Sequence, residues 1–208
     1  MISTQHMISA VAVAAILAVA SPAFAGKGVT SKLKGVQTVV IAKHARNQME
    51  WLSDAPGEKI RGSAPGVTGS VTVDPADLST AKGKIVVPVA TMKTGNDTRD
   101  RHVRGKKWLG AKQFPNITFE IQRVTEVAGS GAQARFKAHG QFTLHGVTKA
   151  LTAPITLKWK DKGAGAKVKV EVKFKIALAD YNIQGKRGMV GDKVGKVIEI
   201  WGNLYGAT

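Results

Sequence analysis

Residues 136–178, FKAHGQFTLHGVTKALTAPITLKWKDKGAGAKVKVEVKFKIAL, decide the fold. Apolar side chains recur there at every second position: Phe136, Ala138, Gly140, Phe142 and Leu144; then Leu151, Ala153, Ile155, Leu157 and Trp159; then Val168, Val170, Val172, Phe174, Ile176 and Leu178. The positions between them are mostly polar, with Lys137, His139 and Gln141 in the first run, Thr152, Thr156, Lys158 and Lys160 in the second, and Lys167, Lys169, Glu171, Lys173 and Lys175 in the third. A period of two with one polar face belongs to antiparallel strands packed on one side only. His145-Gly146 links the first two runs, and Asp161-Lys162-Gly163 opens the next hairpin.

Toward the amino terminus the same pattern continues in shorter pieces. Strands are expected at 36–41, 48–52, 59–63 and 67–73, and Ile85, Val87 and Val89 alternate in another. Pro75 to Ser79 is expected to form one helical turn capped by Asp74. The alternation then breaks at TGNDTRDRHVRGKKWLGAKQFPNITF, residues 94–119. Asn96 or Asp97 can cap a short helix there. Asp100 falls in its first turn, Lys106 and Lys107 in its last, and Gly110 just beyond, so a helix is expected over 97–109. Phe114-Pro115 forces extended backbone into a strand at 116–124, and 194–204 is the last strand. Eight to ten antiparallel strands with one helix form either a sandwich or a barrel.

The first 25 residues carry no Lys, Arg, Asp or Glu, and residues 8–19 are small and apolar before Ala23-Phe24-Ala25. That is the pattern of a signal peptide cut after Ala25, and its apolar run is shorter than the roughly 20 residues a membrane-spanning helix needs. The remaining residues, 26–208, are expected to form a single domain. The absence of cysteine excludes disulfides and thiol chemistry. A formal charge of +17 points to an anionic partner, and without a nucleic-acid motif an anionic membrane surface, met by Lys106 and Lys107, or an outer-envelope polysaccharide fits better than nucleic acid.

One resemblance joins these pieces. Thr94-Gly95, Arg99-Asp100, His102, Arg104, Trp108-Leu109, Phe114-Pro115 and Phe119, in this order and spacing, resemble the signature of the YceI-like, polyisoprenoid-binding family. Gly140 to Lys149, GQFTLHGVTK, resembles its glycine-flanked strand and turn, and Asp180-Tyr181 its later Asp-aromatic pair. The chain departs from that pattern at Leu178-Ala179, where the family has a basic and a small polar residue, and at Asn182, where it has Gly. The resemblance implies an all-β fold, a lipocalin-like antiparallel barrel with one short helix near its mouth, and the signal peptide places it in the periplasm or outside the cell.

It also implies a binding protein rather than an enzyme, with no cofactor beyond a non-covalently held isoprenoid-type lipid, such as a quinone or polyprenyl chain, kept for storage or transport. Arg99, Asp100, His102 and Arg104 are then the residues expected to meet the head group at the mouth. Trp108, Phe119, Phe142, Leu144, Ile155, Leu157, Phe174 and Ile176 are expected to line an apolar tunnel. Two other readings stand beside this one. The first is a structural or stress-related envelope protein whose barrel is filled. The second is a hydrolase, for which His102, His139 and His145 are present but no motif such as G-x-S-x-G. No metal-ligating set is recognised, because Asp100 and His102, two apart on a helix, do not face each other.

Overall fold

In the computed structural model, which describes residues 26–208, the alternating runs become ten strands. They are β1 (Gln37–Ile41), β2 (Gln48–Ala55), β3 (Glu58–Pro65), β4 (Thr68–Asp74), β5 (Asp77–Pro88), β6 (Asn116–Ser130), β7 (Gln133–Leu144), β8 (Val147–Lys162), β9 (Gly165–Ala177) and β10 (Val197–Ala207). One helix, α1 (Asp97–Arg104), separates β5 from β6. All pairings between strands are antiparallel, and the sheet closes because β10 pairs with β9 on one side and with β2 and β1 on the other. β1 pairs with β4 while β2 pairs with β3, so β1 and β2 form one interrupted stave and β3 and β4 another. The result is a closed barrel of eight staves. Closure leaves no sheet edge open along its full length.

The interruption between β1 and β2 is mended by a side chain. Asn47 is 2% exposed; its Nδ2 donates to the carbonyls of Ala42 (2.8 Å) and Tyr205 (3.0 Å), and its Oδ1 accepts from the Tyr205 N–H (2.7 Å). An amide that both donates and accepts is the side chain suited to replacing a missing piece of backbone ladder.

The base of the barrel is crossed by residues 26–33. Gly26 pairs with Gly129, Lys27 accepts from the Leu78 N–H, Val29 donates to the Pro75 carbonyl and Thr30 to that of Gly131. This strap lies where the β5–β6 ladder, which runs from Gly83 opposite Ile121 to Pro88 opposite Asn116, has stopped. Asp161 fixes its far end, accepting from the Lys32 N–H (2.6 Å), the Ser31 hydroxyl (2.7 Å) and the Trp159 indole N–H (3.1 Å). Under the strap, Trp159, Leu78, Val29, Val124, Ala134 and Val168 pack into one buried cluster.

The Lys32 N–H first, and then the Ser31 hydroxyl, hold the Asp161 carboxyl below the ordinary carboxylate range. A group whose pKa is depressed by folding stabilises above its unfolded value and loses that contribution as pH falls through the folded one. Protection of the Val29 and Thr30 amides from hydrogen exchange should therefore be constant above about pH 4, fall below it, and be low at every pH in Asp161→Asn. Exchange of these amides that ignores both pH and the substitution would show that Asp161 does not fasten the strap.

Four local expectations are corrected. Pro75 and Ala76 form a two-residue turn instead of a helical one: Asp74 pairs with Asp77, and the Asp74 carboxylate accepts from the Ala76 N–H (2.9 Å), spanning the corner. α1 ends at Arg104 rather than at residue 109, because Gly105 takes an extended conformation (φ −73°, ψ 164°). β6 runs on to Ser130, past two register shifts after Ile121 and Thr125; such bulges bend a strand without ending it. The last strand begins at Val197 rather than at residue 194, because Val194 belongs to the loop beyond the 3₁₀ turn Leu178–Tyr181. Asn182, in the place of the family's Gly, has φ 54°, a left-handed conformation that Asn adopts more readily than most side chains.

Candidate functional site: a cavity inside the barrel

The barrel is not filled by its own side chains. It encloses a cavity of about 540 Å³ to which all eight staves contribute. Of the three apolar runs read in the sequence, every residue except Gly140 lines it. The glycine has its own reason, because a Cβ there would collide with the Glu120 carbonyl across the β6–β7 pair. Trp108, Phe119, Phe142, Leu144, Ile155, Leu157, Phe174 and Ile176 are all in the wall. Phe142 meets Phe174 (5.7 Å, 75°) and Tyr181 (5.6 Å, 84°) edge to face, a geometry that fixes ring positions. The Trp159 cluster forms the floor.

Polar side chains reach the cavity chiefly at the opposite end, under α1. Asn96 caps that helix, accepting from the Arg99 N–H (3.0 Å), and Asn96, Thr98, Arg99, His102 and Val103 face the cavity. Arg99 does not pair with the adjacent Asp100. Its guanidinium lies 2.9 Å from Glu58 at the tip of the β2–β3 hairpin, so an ion pair ties the helix to the rim. Both partners are partly exposed, and such pairs contribute about 0–1 kcal/mol. His102 is exposed at the rim.

Asp100 and Arg104, expected beside them, are turned away from the cavity. Asp100 is 6% exposed and accepts from both the Thr94 N–H (2.6 Å) and the Thr94 hydroxyl (2.7 Å). The hydroxyl contact is the larger cause holding its carboxyl below the usual range, against the opposing pull of burial. Arg104 donates to the carbonyls of Ala90 (3.3 Å) and Met92 (3.2 Å). The two side chains thus fasten α1 to the segment that enters it. The motif divides by periodicity, with residues 99 and 102 facing the cavity and 100 and 104 facing the supporting chain.

Several wall residues gave no sign in the sequence. Glu58 is one, because only the closed barrel brings the β2–β3 tip to α1. Ile183 and Met189 are others; with Val194, expected in the last strand, they come from the loop 182–196, which folds over the rim. Away from the cavity, His139 sits between Thr125 (2.6 Å) and Thr152 (2.9 Å) on the outer wall, and His145 contacts the Tyr181 carbonyl (3.1 Å) and the Phe114 ring. These histidines do not converge with His102. Among the described residues no cluster of three His, Cys, Asp or Glu side chains could hold a metal.

A closed eight-stave barrel with an apolar interior and one helix across its mouth can be compared with known proteins. Residues 39–202 match the YceI-like domain. The chain belongs to the YceI-like family. UPF0312 proteins of Yersinia pestis and Yersinia pseudotuberculosis are 32% identical to it over 143 residues, 68% of this chain and 72% of theirs. Among solved structures, BcnA of Burkholderia cenocepacia superposes with a TM-score of 0.66 at 18% identity, covering 80% of this chain and 99% of that one. A polyisoprenoid binding domain from Saccharophagus degradans gives 0.62 at 12% identity, covering 83% and 98%. At such identities these superpositions speak for the fold, and the YceI-like barrel they share is the one described above.

Proposed function

We propose that this YceI-like chain is an exported binding protein that holds a long isoprenoid-type lipid, such as a quinone or polyprenyl chain, inside its barrel for storage or transport. The observation that carries the reading is the cavity itself: about 540 Å³, walled by apolar side chains from every stave, with its polar groups chiefly beneath the helix. Pockets of this size and character suit a ligand that is mostly hydrocarbon and polar at one end. Burial contributes about 0.8 kcal/mol per CH₂, so two or three isoprene units supply roughly the 8 kcal/mol of micromolar binding. Arg99, Glu58 and His102 are the side chains placed to meet a head group. That a related fold from Saccharophagus degradans is named a polyisoprenoid binding domain supports the same class of ligand.

Export is part of the proposal. The expected signal peptide lies outside the described residues, but the strap is compatible with a cut after Ala25, since Gly26 is already engaged with Gly129. Protein recovered from the cell envelope should have an intact mass beginning at Gly26, and mass spectrometry of its organic extract should show an isoprenoid lipid in near-stoichiometric amount. Protein that carries no extractable lipid and takes none up from vesicles would favour the alternative of a structural envelope protein.

A further inference from the structure

The barrel's hydrogen-bonded wall lapses in several places; beside β3, which pairs only with β2, the Ser63–Lys93 backbone bridge spans the lapse. At the lower β5–β6 seam the strap fills the lapse, and between β1 and β2 Asn47 does. Another is the upper half of the β8–β9 seam. That ladder runs from Lys162 opposite Gly165 up to Ile155 opposite Val172 and stops. Above it, residues 147–154 pair only with β7, and residues 173–177 only with β10. Pro154 stands at the point of parting, where it has no N–H with which to continue a ladder. No strap or amide fills this seam. What spans it at the rim is the exposed Lys149–Asp180 pair (2.9 Å) and the packing of Tyr181 on Phe142. The side chains on its inner margins, Leu151 and Ala153 facing Phe174 and Ile176, line the cavity.

The outer face of the same two strands is crowded with lysine. Lys158 lies opposite Lys169, and Lys160 opposite Lys167, although like charges directly opposed across a sheet are destabilising. Lys169 is relieved by Glu171, and Lys173 and Lys175 by Glu199. Lys158, Lys160, Lys162 and Lys167 have no carboxylate partner among the described residues. The proximity of Lys162 is the main cause that lowers the Lys167 pKa, with Arg46 and Lys160 adding to it. A repulsive arrangement in the free protein is relieved when an extended anionic surface lies against it.

We propose that the outer face of β8 and β9 docks on an anionic bilayer, and that the unpaired upper half of their seam is a lateral door through which a lipid chain passes between that bilayer and the cavity. The docking stands on the charge alone. The door rests on the lipid-binding reading, and it places the amphiphile's route through the wall instead of past α1.

The test uses the chain over residues 26–208 and vesicles of phosphatidylcholine, with or without phosphatidylglycerol, carrying a tritiated polyprenol. Each basic residue near such a surface contributes about 1 kcal/mol, so Lys158→Glu/Lys160→Glu/Lys167→Glu should weaken binding to the anionic vesicles at least about a hundredfold, while Lys106→Glu/Lys107→Glu, the pair expected from the sequence to meet the membrane but lying after α1 and not on this face, should weaken it less. The reverse ranking, or equal binding to both kinds of vesicle in low salt, overturns the docking face. For the door, Thr152→Cys/Lys175→Cys joined by a bismaleimide should slow polyprenol uptake at least tenfold without changing what a preloaded barrel retains. The same linker across the paired β6–β7 seam, in Glu120→Cys/Gln141→Cys, should have no effect. Uptake at the unlinked rate through the bridged seam overturns the door and leaves the lipid-binding reading intact. A wild-type chain that binds anionic vesicles but takes up no polyprenol overturns the lipid-binding reading, and the door with it, while the docking face stands.

Discussion

Replacing Trp159 by alanine should lower the unfolding free energy by about 3–5 kcal/mol, the range for removing a large aromatic side chain from a close-packed core. Trp159 is 1% exposed and touches both the floor of the cavity and the strap. Its indole N–H lies 3.1 Å from Asp161 and 3.2 Å from Ser31, and its backbone N–H donates to the Ala132 carbonyl (2.8 Å) in the neighbouring turn. For a domain of this length each kcal/mol moves Tm by about 2–4 °C, so a fall of roughly 6–20 °C is expected in thermal unfolding. Trp159→Phe separates the two contributions. It keeps most of the buried ring and loses the N–H, so it should cost about 1.5–3 kcal/mol, the scale of one hydrogen bond to a charged acceptor. Equal losses in both variants would place the stabilising contribution in the hydrogen bond rather than in the packing of the floor.

The inner surface of this barrel was legible because a strand's side-chain period is local: Phe136 and Ala138 share a face whatever else the chain does. The N-cap at Asn96 was legible for the same reason. Closure was not, since it depends on β1 and β2 acting as one stave across a break, and the signal for that is a single buried asparagine. The strap left no trace, because residues 26–33 bind chiefly through backbone groups, and Gly26 and Gly28 have no side chain to alternate. Asp100 shows how a correct local reading misplaces a role. Its position in the first turn was right, but the Thr94 N–H and hydroxyl, in the preceding loop, take up the carboxylate that had been expected at the mouth. Arg99 shows the converse, for its partner Glu58 comes near only once the barrel has closed. Local periodicity therefore identified the wall, and long-range contacts determined which charges remain beside it.

Introducing a carboxylate into that wall should abolish binding of an isoprenoid chain. At Phe142→Glu the new side chain replaces a ring that is 6% exposed and held edge-on between Phe174 and Tyr181. An ionised group in an apolar cavity without a partner costs several kcal/mol. The cavity can meet that cost by admitting water, or the carboxyl can stay protonated with a raised pKa; in either case a hydrocarbon tail competes with hydrated polar groups instead of filling a dry space. A loss of at least about a hundredfold in Kd is expected, equivalent to about 3 kcal/mol. Because removing Phe142 also costs packing, Ile155→Glu is the companion variant. Ile155 is only half-buried in the same wall, so the charge can be introduced with less lost contact. Arg99→Ala supplies the contrast: its guanidinium is at the rim and already paired with Glu58, so tail affinity should change less than tenfold while preference among head groups shifts. Titration of a fluorescent polyprenyl probe into each folded variant distinguishes the cases. If Ile155→Glu, folded by circular dichroism, binds the probe with the wild-type Kd, the chain is not held in the cavity; if Arg99→Ala loses binding as completely as the wall variants, the head group and not the tail supplies the affinity.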